Sequence, residues 1–116
     1  MLTDPPDGRV IGNTSGFVPV LSWQPVGTLA PNEYYHVTFQ VKRQGGQVER
    51  WIGLDTADTV LTVSETDAGF MRTPPQTAEV TWNVMVLSQP GASWQQGGAG
   101  AQISPVSEPR LLLMNP

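Results

Sequence analysis

The chain contains no cysteine. That excludes disulfides, thiol chemistry and thiolate metal sites, without fixing a compartment. Cations are scarce: Lys42 and five arginines stand against ten acidic residues, giving a net charge of −4. Nucleic-acid binding needs a basic footprint, and the longest basic run is Lys42-Arg43, read as a solvated strand end. Charged residues make up 14% of the chain, below the usual quarter or so. The polar surface is therefore expected to be Thr, Ser, Gln and Asn. Histidine occurs once, at His36. One imidazole and no thiol leave little from which to build a zinc site, and a nucleophile–base–acid set needs partners held within hydrogen-bond reach. No apolar run approaches the roughly 20 residues needed to cross a bilayer. Met1-Leu2-Thr3-Asp4 lacks the basic-then-apolar layout of a signal peptide. If the domain is exported, its signal is expected upstream in a longer parent, with Met1 then an expression start.

What is abundant points to strands and turns. The 116 residues suit one domain spanning 1–116, large enough to bury a core without a staple. The 12 glycines and 11 prolines fit many short strands joined by turns. Alternation with period two recurs along the chain. It is first visible over Phe17 to Trp23, with Leu21 and Trp23 on one face. From Tyr34 to Lys42, Tyr35, Val37, Phe39 and Val41 share the inward face, and Tyr34, His36, Thr38 and Gln40 the outward one. Gln44-Gly45-Gly46 supplies a turn, and Gln47 to Leu54 returns as a hairpin partner. Thr59 to Val63 is short, with Leu61 and Val63 inward. From Ala78 to Leu87, Val80, Trp82, Val84 and Val86 alternate with polar residues and Met85. Gln102 to Met114 closes the chain; Pro105 and Pro109 there predict an edge or bulged strand. Ser64 to Met71 is granted one helical turn at most, because Asp67 and Gly69 interrupt it and Pro74-Pro75 follows. The count predicts an all-β fold, an antiparallel β-sandwich of about seven strands with Trp23 and Trp82 central in its core.

The order of motifs resembles that of fibronectin type III and related Ig-like domains of bacterial surface proteins. Pro5-Pro6-Asp7-Gly8 is similar to their opening turn, Leu21-Ser22-Trp23 to their Leu-x-Trp strand, and Tyr35-His36-Val37 to the next strand. Thr59-Val60-Leu61, Val80-Thr81-Trp82-Asn83-Val84 and the closing run from Gly100 to Pro109 follow in the family's order. Val80 stands where many relatives carry a corner tyrosine, so the preceding turn must be fixed otherwise, by packing of Phe70 or Met71. The resemblance implies a non-catalytic extracellular module, excised from a larger exported or membrane-anchored protein such as a kinase. It would serve spacing or protein contacts, or bind carbohydrate beside a hydrolase. Fold does not choose among these.

The candidate sites carry little catalytic chemistry. Asp55 with Asp58, and Glu65 with Asp67, are read as turn chemistry rather than calcium ligands, since the EF-hand spacing is missing. Paired carboxylates for glycoside hydrolysis would need a cleft that a small sandwich lacks. Gly97-Gly98-Ala99-Gly100 lacks the Lys-Ser/Thr and helix of a phosphate loop. No cofactor and no metal are expected, and the chain is read as a monomer and not an enzyme. The aromatics outside the inward phases are Trp94, Trp51 and Tyr34. Trp51 should point outward unless a bulge at Gly53 reverses the phase. Trp94, in a long Gly-rich loop, is either a cap on the end of the sandwich or a contact residue. These three are the candidates for a protein or glycan partner. A row of exposed aromatics on one face would favour sugar, a smooth Thr/Gln/Glu face would favour spacing, and a flat unpaired edge strand would favour strand addition.

Overall fold

The computed structural model describes residues 2–4, 8–12, 18–25, 27–88, 101–102 and 108–115. Over these the chain is all-β apart from one short helix. The strands are β1 (Leu2–Asp4), β2 (Arg9–Ile11), β3 (Val20–Trp23), β4 (Glu33–Arg43), β5 (Val48–Thr56), β6 (Val60–Thr62), β7 (Ala78–Ser88), β8 (Ala101–Gln102) and β9 (Arg110–Met114). Helix α1 (Glu65–Phe70) lies between β6 and β7.

Two sheets form. The smaller has the order β1-β3-β6; the larger runs β2-β9-β7-β4-β5, with β8 also on β7. Strand β4 is central to the larger sheet because its alternation is complete: Tyr35, Val37, Phe39 and Val41 are buried, while His36, Thr38 and Gln40 are only partly covered. It pairs with β7 along all 11 of its residues, antiparallel. Val80, Trp82, Val84 and Val86 take the inward phase there, as their spacing predicts. A single core cluster joins both sheets, drawing Leu2, Leu21, Trp23 and Val63 together with Phe39, Trp82 and Leu112. Trp23 meets Tyr35 edge to face, with centroids 5.5 Å apart and rings inclined by 69°, a favoured geometry for aromatic pairs. Among the described residues the buried indole N–H groups of Trp23 and Trp82 have no hydrogen-bond partner, so both residues contribute through apolar area and packing.

Three features depart from the expected pattern. The larger sheet is mixed, not purely antiparallel, because β2 runs parallel to β9. Strand β9 is not an edge: it lies between β2 and β7. Pro109 precedes the strand and so removes no donor from its ladder, while Pro105 lies outside the described residues. Helix α1 is also longer than one turn, with six residues. Ser64 caps it: its hydroxyl accepts from the Asp67 amide at 3.1 Å and donates to the Asp67 carboxylate at 3.0 Å. Beyond α1, Met71 is fully buried whereas Phe70 is 56% exposed. Met71 is therefore the residue that packs the turn before β7.

The arginines act as staples. Arg110 donates to the Leu2 carbonyl at 2.7 Å, tying β9 to β1. Arg72 donates to the carbonyls of Asn115 and Gly12, and Arg50 to that of Phe70. Arg43 binds Glu49 and reaches the carbonyls of Thr73 and Pro74 and the Gln76 side chain. Arg43 is thus a structural clamp rather than a solvated strand end. Lys42 forms an ion pair with Glu79 at 3.4 Å. Five of the six cations are thereby spent on internal partners.

Candidate functional site

The outer border of the larger sheet is strand β5. Its register with β4 begins at Lys42 opposite Val48, then shifts, so that Val41 faces Arg50 and every later pair follows the new frame. Glu49 is the extra residue of this bulge, and its carboxylate is held by the Arg43 guanidinium at 2.9 Å. The bulge lies before Trp51, not at Gly53, so Trp51, Gly53 and Asp55 share the outward phase. Trp51 is 66% exposed, as its phase predicts. Among the described residues β5 pairs on one side only, which leaves a nine-residue edge.

The shifted register brings His36 opposite Asp55. Their side chains meet, Nδ1 to Oδ1, at 2.5 Å. Asp55 is a strand residue and not the turn residue that its neighbour Asp58 suggests. The Asp58 turn is closed instead by the Thr56 hydroxyl, which accepts from the Asp58 amide. The imidazole also leans over Gly53: a Cβ at that glycine would stand 2.8 Å from His36 Cε1 and 3.2 Å from Nε2. Glycine is the residue that lets the ring lie down there. Tyr34 falls on the same outward face but is 5% exposed and outside the central core cluster. Burial, and then the negative charge of Asp55, hold its hydroxyl above the ordinary tyrosine value of 10.0.

Other candidates are dispersed. Trp94 and the Gly97–Gly100 run lie outside the described residues. Glu65 and Asp67 sit in the first turn of α1, Asp67 as part of its cap. Among the described residues no three His, Asp or Glu side chains come together as a metal cluster. At one end of the molecule Pro25, Leu29, Pro31, Tyr35, Ala57 and Thr59 line an open groove of about 430 Å³. Glu33, on its rim, is occupied in bonding the Ala30 amide.

Sequence reasoning singled out Trp51 but read His36, Gly53 and Asp55 separately, as an exposed polar residue, a possible bulge and a turn acid. The signal that joins them is the odd-numbered phase of Trp51, Gly53 and Asp55 once the register is known. No protein-family model, no curated protein and no solved structure matches this chain.

Proposed function

We propose that this chain is a non-catalytic accessory module, an Ig-like β-sandwich that makes protein contacts through its β5 border within a larger exported or membrane-anchored protein. The sandwich reading is supported by the strand order. Strands β1, β3 and β6 correspond to one sheet of such a domain and β9, β7, β4 and β5 to the other, with the N-terminal segment shared between them. The contact reading rests on one observation, the nine-residue edge of β5, which among the described residues has a partner on one side only. Unpaired strand edges template pairing with another chain, and an added strand gains main-chain hydrogen bonds while side chains on alternate positions select it.

The test is selection of nonapeptides that bind the isolated chain, followed by amide mapping. Binders whose shifts concentrate on residues 48–56, and whose binding is weakened when the exposed Val48 is replaced by Lys, support the assignment. Binders that map to another strand, or a selection that yields none, overturn it.

A further inference from the structure

The geometry points to a second, separate site: the outer face of β4 and β5 at Trp51, Gly53, His36 and Asp55 binds a neutral saccharide. This face stands perpendicular to the main-chain edge that strand addition would use, although Trp51, Gly53 and Asp55 belong to the same strand.

Four observations carry the assignment. First, Trp51 is 66% exposed on a strand, where an indole offers a large rigid apolar surface at low entropic cost. Second, Gly53 is the next residue along that face, roughly 7 Å on by strand rise, and the His36 imidazole lies over it. The absent side chain at Gly53 thus lets the imidazole occupy that position, a second ring on the same face as the indole. Third, His36 Nδ1 is fixed by Asp55 Oδ1 at 2.5 Å. That leaves the ring's Nε2 and the second Asp55 oxygen as polar groups for sugar hydroxyls, which both donate and accept. Fourth, the residues across from Trp51 and Gly53 are Gln40 and Thr38, with Thr81 and Asn83 beyond on β7. All are neutral hydrogen-bonding groups.

A ligand that suits this strip has an apolar C–H face and a ring of hydroxyls on one body. A neutral sugar has both. The nearest cation by register on this face, Lys42, is paired with Glu79, and Asp55 adds negative charge. An acidic saccharide therefore meets repulsion rather than attraction. A nucleic acid is excluded on the same ground.

The experiment uses the whole chain, labelled with nitrogen-15, and follows the indole N–H signal of Trp51. Probes are neutral hexasaccharides of glucose, xylose, mannose and N-acetylglucosamine, one oligogalacturonate, and a proline-rich peptide. The expected result is a saturable shift of the Trp51 signal with at least one neutral hexasaccharide and none with the oligogalacturonate. Trp51→Ala and His36→Ala should each weaken that binding at least tenfold while leaving the melting temperature within a few degrees of wild type. Val48→Lys, at an exposed edge position, should leave it unchanged. The assignment is overturned by the absence of any shift with all four neutral probes. It is equally overturned by unchanged affinity in Trp51→Ala, or by a response to the acidic sugar or the peptide alone.

Discussion

Arg43 holds the carboxylate of Glu49, the one residue that the β4–β5 bulge leaves without a cross-strand partner. The same guanidinium bonds the turn between Thr73 and Gln76. One side chain therefore fixes both the register of the hairpin and the approach to β7. Hydrogen bonds to charged groups contribute about 1.5–3 kcal/mol in favourable settings. The Arg43 side chain is 36% exposed, so solvent screening lowers this to about 1–2 kcal/mol. Arg43→Ala should lose that much in urea unfolding. Arg9→Ala, at an exposed position, should stay within about 0.5 kcal/mol.

The four tryptophans should separate cleanly where they are described. Trp82 is fully buried and Trp23 nearly so. Truncation of either to Ala should cost about 3–5 kcal/mol, a large share of the roughly 5–15 kcal/mol a domain possesses. Trp51→Ala should change stability by less than about 0.5 kcal/mol. Chemical denaturation of the three variants checks the order; a destabilised Trp51 variant would invert the face assignment of β5.

Gly53→Ala should destabilise the chain by about 1–3 kcal/mol, the usual scale for overpacking, because its Cβ meets the His36 ring at 2.8 Å. The cost should largely vanish in the His36→Ala background. A double-mutant cycle measures this, and a coupling below about 0.5 kcal/mol would mean that the ring swings aside freely.

Tyr34 sets an alkaline limit. Its hydroxyl ionises above 10.0 in the folded chain, by burial first and Asp55 second, and near 10.0 in the unfolded chain. Below that pH the protonated ring is neutral in both states and its contribution is constant. As pH rises past 10.0 the unfolded chain gains by ionising while the folded chain does not, so stability falls until the higher folded value is reached. Melting curves of wild type should steepen downward above pH 10 or so, and those of Tyr34→Phe should do so less. Asp55→Asn should bring the Tyr34 titration, followed by ultraviolet difference spectra, closer to the ordinary value.

The core was legible in the sequence because burial on one face leaves a period-two record. Tyr35, Val37, Phe39 and Val41, then Val80, Trp82, Val84 and Val86, need no other information. The candidate strip was not legible for a physical reason. A hairpin counted back from the turn places His36 opposite Leu54, a residue of the opposite face. The bulge at Glu49 moves every later pair by one, and bulges leave no fixed mark in composition when no glycine forms them. The parallel pairing of β2 was hidden differently: three residues are too few to show a period, and their partner lies about a hundred positions on. Pro109 misled because a proline just before a strand reads like one inside it.

The parallel alignment of β2 with β9 has a mechanical consequence. The ladder from Arg9 opposite Leu112 to Ile11 opposite Met114 is extended at its two ends by bonds from Gly8 to Leu111 and from Asn115 to Ile11. Tension drawn out through the N-terminal side of β2 and the C-terminal side of β9 pulls these two strands in opposite directions along their common axis. The load then falls on all of those bonds together, in shear, whereas an antiparallel pair at the same place would open one bond at a time from its end. A chain built this way resists being stretched by its ends more than its few paired residues would suggest.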